Sequence, residues 1–302
     1  MEKTVKRQNR ISRFNNAEKI ILVILLAVLA AYALSLILMF GWAIMSSFKT
    51  PNFYRKHIIE FPEPITIENY VNAYSNFYLR SDDVTSRVIG FGEIIMNTLL
   101  YAVGCSFLQT LSCCVMAYAT AKYAYKLSKI VYTTVIIVMI LPIVGSLPSE
   151  VFVLKRVLHL YDTMAGSWFM SFNFLGMYYL VFYEFFKSMP KDYNEAAEID
   201  GAGRYTVLLR IVFPLTRNMF FTVMLLKFIV YWNDYQVPLV YMPGHPTLSY
   251  AVFRFMSIAK DGWSNVTQKI AGAMLVFLPV FVLFVIFHNK LIGNVTMGGV
   301  KE

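Results

Sequence analysis

The residue types that support catalysis are all present in this chain, but nothing in their spacing gathers them. His57, His159, His245 and His288 fall in four separate segments, so no Ser-His-Asp or His-carboxylate grouping follows, and an enzyme needs one. Cys105, Cys113 and Cys114 share one apolar run, with no CxxC pair and no neighbouring histidines. They read as small packing residues rather than metal ligands or a disulfide framework. The sequence has no GxxxxGK[ST] loop and no acidic magnesium site, so it offers a nucleotide no place to bind. The polar residues that do form a pattern lie in Lys191–Pro214, KDYNEAAEIDGAGRYTVLLRIVFP. Glu195, Glu198 and Asp200 supply charge there, while Ala196, Ala197, Gly201, Ala202 and Gly203 are small enough to let another backbone come close. Such chemistry docks a partner and breaks no bonds.

The elements that hold this pattern follow from its composition. Glu195–Ile199 favours a short helix, the glycines at 201 and 203 permit a sharp turn, and residues 203–213 form a second helical run that Pro214 is expected to end. Long apolar runs flank the stretch on both sides. A polar island between two membrane helices lies in water, as a knob or as a plain connecting loop.

The chain has 302 residues, of which 58% are hydrophobic and 15% charged, with a positive mean hydropathy. That is an integral membrane protein embedded in a lipid bilayer, not a soluble one. The net charge of +9 does not indicate nucleic acid, because the basic residues sit at the ends of apolar spans. Residues 1–19 read as a basic tail, and no cleavable signal peptide is expected, because the first apolar run is too long and lacks a small-residue cleavage site before the next polar segment. Six spans are expected at about 20–45, 94–121, 130–147, 164–186, 219–242 and 270–287, each near the ~20 residues a bilayer requires. Pro142, Gly145 and Pro148 break and close the third. Residues 46–92 read as an external loop with a short helix around 67–77, opened by Thr66 and Glu68. Residues 149–163 read as an amphipathic helix on the outer surface, and 243–267 as the last outer loop. Most of the 27 Lys and Arg fall on the inner side and hug the span ends, which places both termini in the cytoplasm.

Glu195-Ala196-Ala197, Asp200-Gly201-Ala202, Ile211 and Pro214-Leu215 together resemble the EAA loop of permease subunits in ATP-binding-cassette importers. Further pieces match in order: Asn97-Thr98-Leu99, Ala117-Tyr118-Ala119, Leu141-Pro142, Trp232-Asn233-Asp234, Pro238-Leu239 and Gly298-Gly299-Val300-Lys301. They cover roughly two thirds of the chain and resemble the maltose-type subunit of carbohydrate-uptake importers. Asn218 stands where relatives often carry a second proline, and Phe213 where leucine is usual. The resemblance implies an all-α type I importer fold with six transmembrane helices in a bacterial inner membrane. On that view residues 1–92 hold the tail, first span and external loop, 93–288 the permease core, and 289–302 a cytoplasmic tail. It also implies a heterodimer with a second permease, two ATPase subunits and an external solute-binding protein. ATP and magnesium would be bound by the ATPases, and this chain would bind no cofactor and catalyse nothing itself. Glu195 would face a basic residue of the ATPase, and Gly298, Gly299, Val300 and Lys301 would reach the same interface. The solute would be a sugar or oligosaccharide, with a peptide or other polar solute as the alternative, and a stand-alone membrane enzyme or sensor further off.

Charges within spans are costly and raise a functional question. Lys227 and Asp234 lie seven residues apart in the fifth span, near one helical face. Asn233 and Asp234 fit either a polar lining of a solute path or a bond between helices; Lys227 fits snorkelling or pairing with a neighbour. Sugars are held by hydroxyl hydrogen bonds and aromatic faces, so Tyr231, Trp232 and Tyr235, with Tyr178, Tyr179 and Tyr183 in the fourth span, are candidates for that path. Each tyrosine also fits a membrane-interface anchor. In relatives of this type the loop between spans five and six reaches into the binding protein; residues 244–263 match it here.

Overall fold

The computed structural model describes residues 15–75, 78–80, 88–123, 125–141, 145–190, 203–257 and 265–295. Their order is α1 (Asn16–Ser47), α2 (Pro51–Lys56), α3 (Glu68–Ser75), β1 (Leu79–Arg80), β2 (Val88–Ile89), α4 (Phe91–Lys122), α5 (Lys126–Ile140), α6 (Ser146–Phe152), α7 (Met164–Ser171), α8 (Met177–Ser188), α9 (Arg204–Val207), α10 (Phe213–Asn233), α11 (Gln236–Tyr241), α12 (Leu248–Ser257) and α13 (Val266–Val295). π turns at Val153–Val157 and Leu208–Val212 continue α6 and join α9 to α10. The architecture is all-α apart from one short antiparallel ladder, in which Leu79 faces Ile89 and Arg80 faces Val88.

Among the described residues, four helical stretches are long and apolar enough to cross a membrane: Ala17–Ser47, Phe91–Lys122, Leu208–Asn233 and Val266–Ile286. The third span is interrupted at Gly145, as expected, while the expected fourth falls instead on a pair of shorter helices. α5 has 15 residues and is separated from α6 by a segment ending at Gly145, whose φ of 83° suits glycine. α7 and α8, of 8 and 12 residues, are parted before Gly176, which takes a φ of 154°. Hydropathy averaged along a run registers composition and is blind to the second of these breaks. Non-helical backbone at membrane depth is tolerated where protein covers it. At the α7–α8 break Cys113 Sγ lies 3.9 and 3.8 Å from the carbonyls of Asn173 and Phe174, and Asn173 Oδ1 accepts from Leu175 N at 2.8 Å.

Three further expectations are corrected. Pro214 does not end a helix: α9, the π turn and α10 run on from Arg204 to Asn233. The wider π turn just before Pro214 changes the bonding register where proline has no N–H to give. Pro148 lies in the first turn of α6 rather than closing a span, a position where a missing donor costs nothing. Residues 243–267 contain α12, which buries Leu248, Ala251 and Phe255 along one face. The short helix expected around 67–77 is α3, with Thr66 Oγ1 accepting from Glu68 N at 3.2 Å.

The chain divides into two compact units. The first comprises residues 1–72 and 265–274. Its described part holds α1, whose apolar span is unburied, and a polar knot at the end of that helix. There the fully buried Lys49 donates to the carbonyls of His57 at 3.1 Å and Ile58 at 2.8 Å. Burial pulls its ammonium below the usual lysine range. Asn69 Nδ2 donates to the carbonyls of Ser47 and Lys49 at 2.8 and 2.7 Å, and its Oδ1 accepts from Thr267 Oγ1 at 3.2 Å.

The second unit, residues 73–264 and 275–302, is built on α4. One side of its core joins Cys113, Ala117 and Tyr118 of α4 to Tyr179, Phe182 and Phe186 of α8 and to Val212, Phe220 and Val223 at the α10 end. The helices come close because α4 is small where it meets α7: a Cβ on Gly104 would collide with the Trp168 ring.

Candidate functional site

The expected fifth span stops inside the second unit, at Asn233, and the chain restarts as α11 three residues later. Asp234 makes that break possible. Its Oδ1 accepts from Gln236 N at 2.9 Å and Val237 N at 3.2 Å, capping α11, as a short acidic side chain at a helix start does. Its Oδ2 accepts from the hydroxyl of the fully buried Tyr101 at 2.7 Å. One carboxylate thus starts a helix and fastens it to α4. One turn before, Tyr231 donates to Gln109 Oε1 at 3.0 Å and packs edge-on against Tyr101, ring centres 5.6 Å apart. Trp232 is buried; its Nε1 donates to the carbonyl of Val276 at 3.4 Å, and its own carbonyl accepts from Ser249 Oγ at 2.5 Å.

The start of α12 is fixed from the same helix. Asn97 Nδ2 donates to the Pro246 carbonyl at 3.3 Å, and Thr98 Oγ1 accepts from Leu248 N at 2.8 Å. Nearby, Asp162 Oδ1 accepts from Gly244 N at 2.7 Å and Asp162 N donates to the Tyr241 carbonyl at 2.8 Å. Asn97-Thr98 and Trp232-Asn233-Asp234, far apart in sequence, are therefore parts of one clamp.

The candidate residues divide by environment. Tyr179 is fully buried and shares a 2.7 Å hydrogen bond with Thr120 Oγ1. Tyr183 stacks on Tyr179 and meets Tyr132 at 4.7 Å between ring centres. Trp232 and Asp234 are committed to the clamp. Asn233 is exposed, donating to the Ile229 carbonyl at 2.8 Å. Tyr235, 40% exposed, stacks on Phe253 at 4.3 Å. Tyr178 is half-buried under Lys227, whose Nζ lies 5.0 Å from its ring centre.

Of the residues expected to dock an ATPase, Ile211 lies half-buried in the π turn and Pro214 is exposed. Glu195, Ala196, Ala197, Asp200, Gly201 and Ala202, and the tail residues Gly298, Gly299, Val300 and Lys301, lie outside the described residues. The approach to the loop is described: Lys122, at the end of α4, donates from Nζ to the carbonyl of Met189 at 2.7 Å, just past α8. No group of three or more His, Cys, Asp or Glu side chains suited to a metal occurs among the described residues.

Sequence reading passed over Tyr101, Gln109, Ser249 and the Lys49 knot. Tyr101, Cys105, Gln109 and Cys113 recur every four residues along α4, a polar-capable stripe at helical spacing that signals a face turned toward protein. Ser249 and Lys49 carried no such signal.

The sequence profile of the binding-protein-dependent transport system inner membrane component matches residues 114–293. The probable starch degradation products transport system permease protein AmyC of Thermoanaerobacterium thermosulfurigenes is 27% identical over 264 residues, covering 86% of this chain and 89% of that protein. The melibiose/raffinose/stachyose import permease protein MelC of Bacillus subtilis is 27% identical, covering 80% and 83%. The arabinooligosaccharides transport system permease protein AraQ of the same organism is 26% identical, covering 68% and 72%. Among solved structures, a chain of a bacterial ABC transporter that imports the acidic polysaccharide alginate superposes with a TM-score of 0.70 at 19% identity, covering 91% of this chain and 98% of that one. With its apolar helices, its clamp at the interrupted fifth span and a profile match over more than half its length, this chain belongs to the family of inner membrane components of binding-protein-dependent transport systems.

Proposed function

We propose that this chain is one of two related permease subunits of an ATP-driven importer of sugars or oligosaccharides. The observation that carries the reading is the family match together with relatives named for saccharide import. The chain lies in the bacterial cell membrane with both termini in the cytoplasm. Two ATPase subunits lie beneath the permease pair, the one under this chain docking against Glu195–Pro214 and the tail at Gly298–Lys301, and a solute-binding protein delivers the sugar from outside. ATP and magnesium are bound on the ATPases, and hydrolysis takes place there.

The clamp supports a division of labour along the path. Tyr101, Tyr231, Trp232, Asp234 and Tyr179 hold helices in place, because their polar atoms are already used inside the bundle. Asn233, Tyr235, Tyr178 and Tyr183 keep exposed or half-buried surface for solute. The Tyr235 ring, braced from behind by Phe253, offers a flat apolar face of the kind on which sugar rings stack.

The coupling assignment is tested by Glu195→Lys with Gly201→Trp. The doubly substituted chain should insert in the membrane at wild-type level, while ATP-dependent uptake falls to background. Normal uptake by that variant removes Glu195–Pro214 as the grip on the ATPase.

A further inference from the structure

Lys227 is a cation that the clamp does not use. It lies six residues before the end of α10, about 9 Å inside the helix, and helical side chains lean toward the N-terminus, here away from that end. It is half-buried, and its contact is internal: Nζ sits 5.0 Å from the ring centre of Tyr178 on α8. It shares a stripe of α10 with Tyr231, one turn on, and Asp234, two turns on. Among the described residues no carboxylate pairs with it. Asp234 is held by Tyr101 and two backbone N–H groups, Asp162 by Gly244 N and His245, and Glu184 by Lys187 at 3.6 Å. A snorkelling lysine would leave the bundle, and a structural one would have an acid beside it or, like Lys49 and Lys122, backbone carbonyls; this one rests on an aromatic face with a charge still to be answered.

We propose that Lys227, with Tyr178 beneath it, forms an anion subsite on the solute path, and that the imported saccharide is acidic, carrying a carboxylate or similar anionic group. This rests on the importer reading above and narrows its substrate class. The ammonium meets the anionic group in a water-poor setting where a charged hydrogen bond is strong. The Tyr178 ring keeps Nζ in place while no solute is bound.

The test uses the complete importer, with its partner permease, ATPases and binding protein, reconstituted in proteoliposomes. The probes are short oligogalacturonides and the same mixture with its carboxyls reduced to hydroxymethyl groups. The wild type should take up the acidic mixture in preference to the neutral one. Lys227→Met should lower acidic uptake about tenfold, Lys227→Arg should restore most of it, and the second permease should co-purify with both variants. Preference for the reduced sugars overturns the anion subsite and leaves the importer reading intact, as does undiminished acidic uptake by Lys227→Met. Loss of the second permease from Lys227→Met also overturns it, since Lys227 then pairs with an acid of that subunit. Uptake of neither mixture, with ATP turnover unlinked to any saccharide, removes both readings.

Discussion

The Asp234 carboxylate has four places to accept hydrogen bonds, and three are filled by Tyr101, Gln236 and Val237. A carboxylate inside a membrane bundle is tolerable only when so satisfied. Tyr101→Phe leaves Oδ2 without its donor, and a hydrogen bond to a charged group contributes about 1.5–3 kcal/mol. That loss should appear as a lowered Tm of the detergent-purified complex. Asp234→Ala should cost about 1 kcal/mol more in stability, and so lower the Tm further, because the α11 cap is lost as well. An unchanged Tm in Tyr101→Phe would mean that the bond does not hold the break. Most of these roles were hidden in the sequence for one reason: the partners lie 133 residues apart for Tyr101 and Asp234, and 150 for Thr98 and Leu248. The type of residue was legible there, its partner was not.

At the scale of elements, close approach depends on what is missing from a side chain. Gly104 lies against the Trp168 ring, whose Nε1 donates to the Leu100 carbonyl at 3.0 Å. Gly104→Ala forces that ring aside and breaks the bond, an overpacking cost of about 1–3 kcal/mol that a thermal melt would read. Long uniform runs gave α1, α4 and the apolar part of α13 from sequence to within a few residues, since length and composition suffice for them. The interruption of the third span at Gly145 is legible in the sequence, whereas the fourth reads there as continuous because Gly176 acts on a dihedral angle, which hydropathy does not register. Pro214 was misread in the opposite sense. Proline's missing donor predicts an interruption, and a π turn absorbed it.

Across the whole molecule, the first and last parts of the chain meet in the first unit, where Asn69 binds the end of α1 and, 198 residues away, Thr267 at the start of α13. Asn69→Ala removes three hydrogen bonds at once, two of them to backbone carbonyls that stay buried, at a cost of about 2–4 kcal/mol. Proteolysis of residues 57–66 should quicken in that variant; an unchanged cleavage rate would show that Lys49 alone secures the segment. A different consequence follows from the unbroken run of Arg204 to Asn233. At 1.5 Å per residue it is a rod about 45 Å long, with the stretch proposed to dock an ATPase immediately before it in sequence and the break at Asp234 immediately after. On the importer reading, force applied at the near end would arrive at the far end as travel of a stiff strut, with no relay of side chains to absorb the stroke.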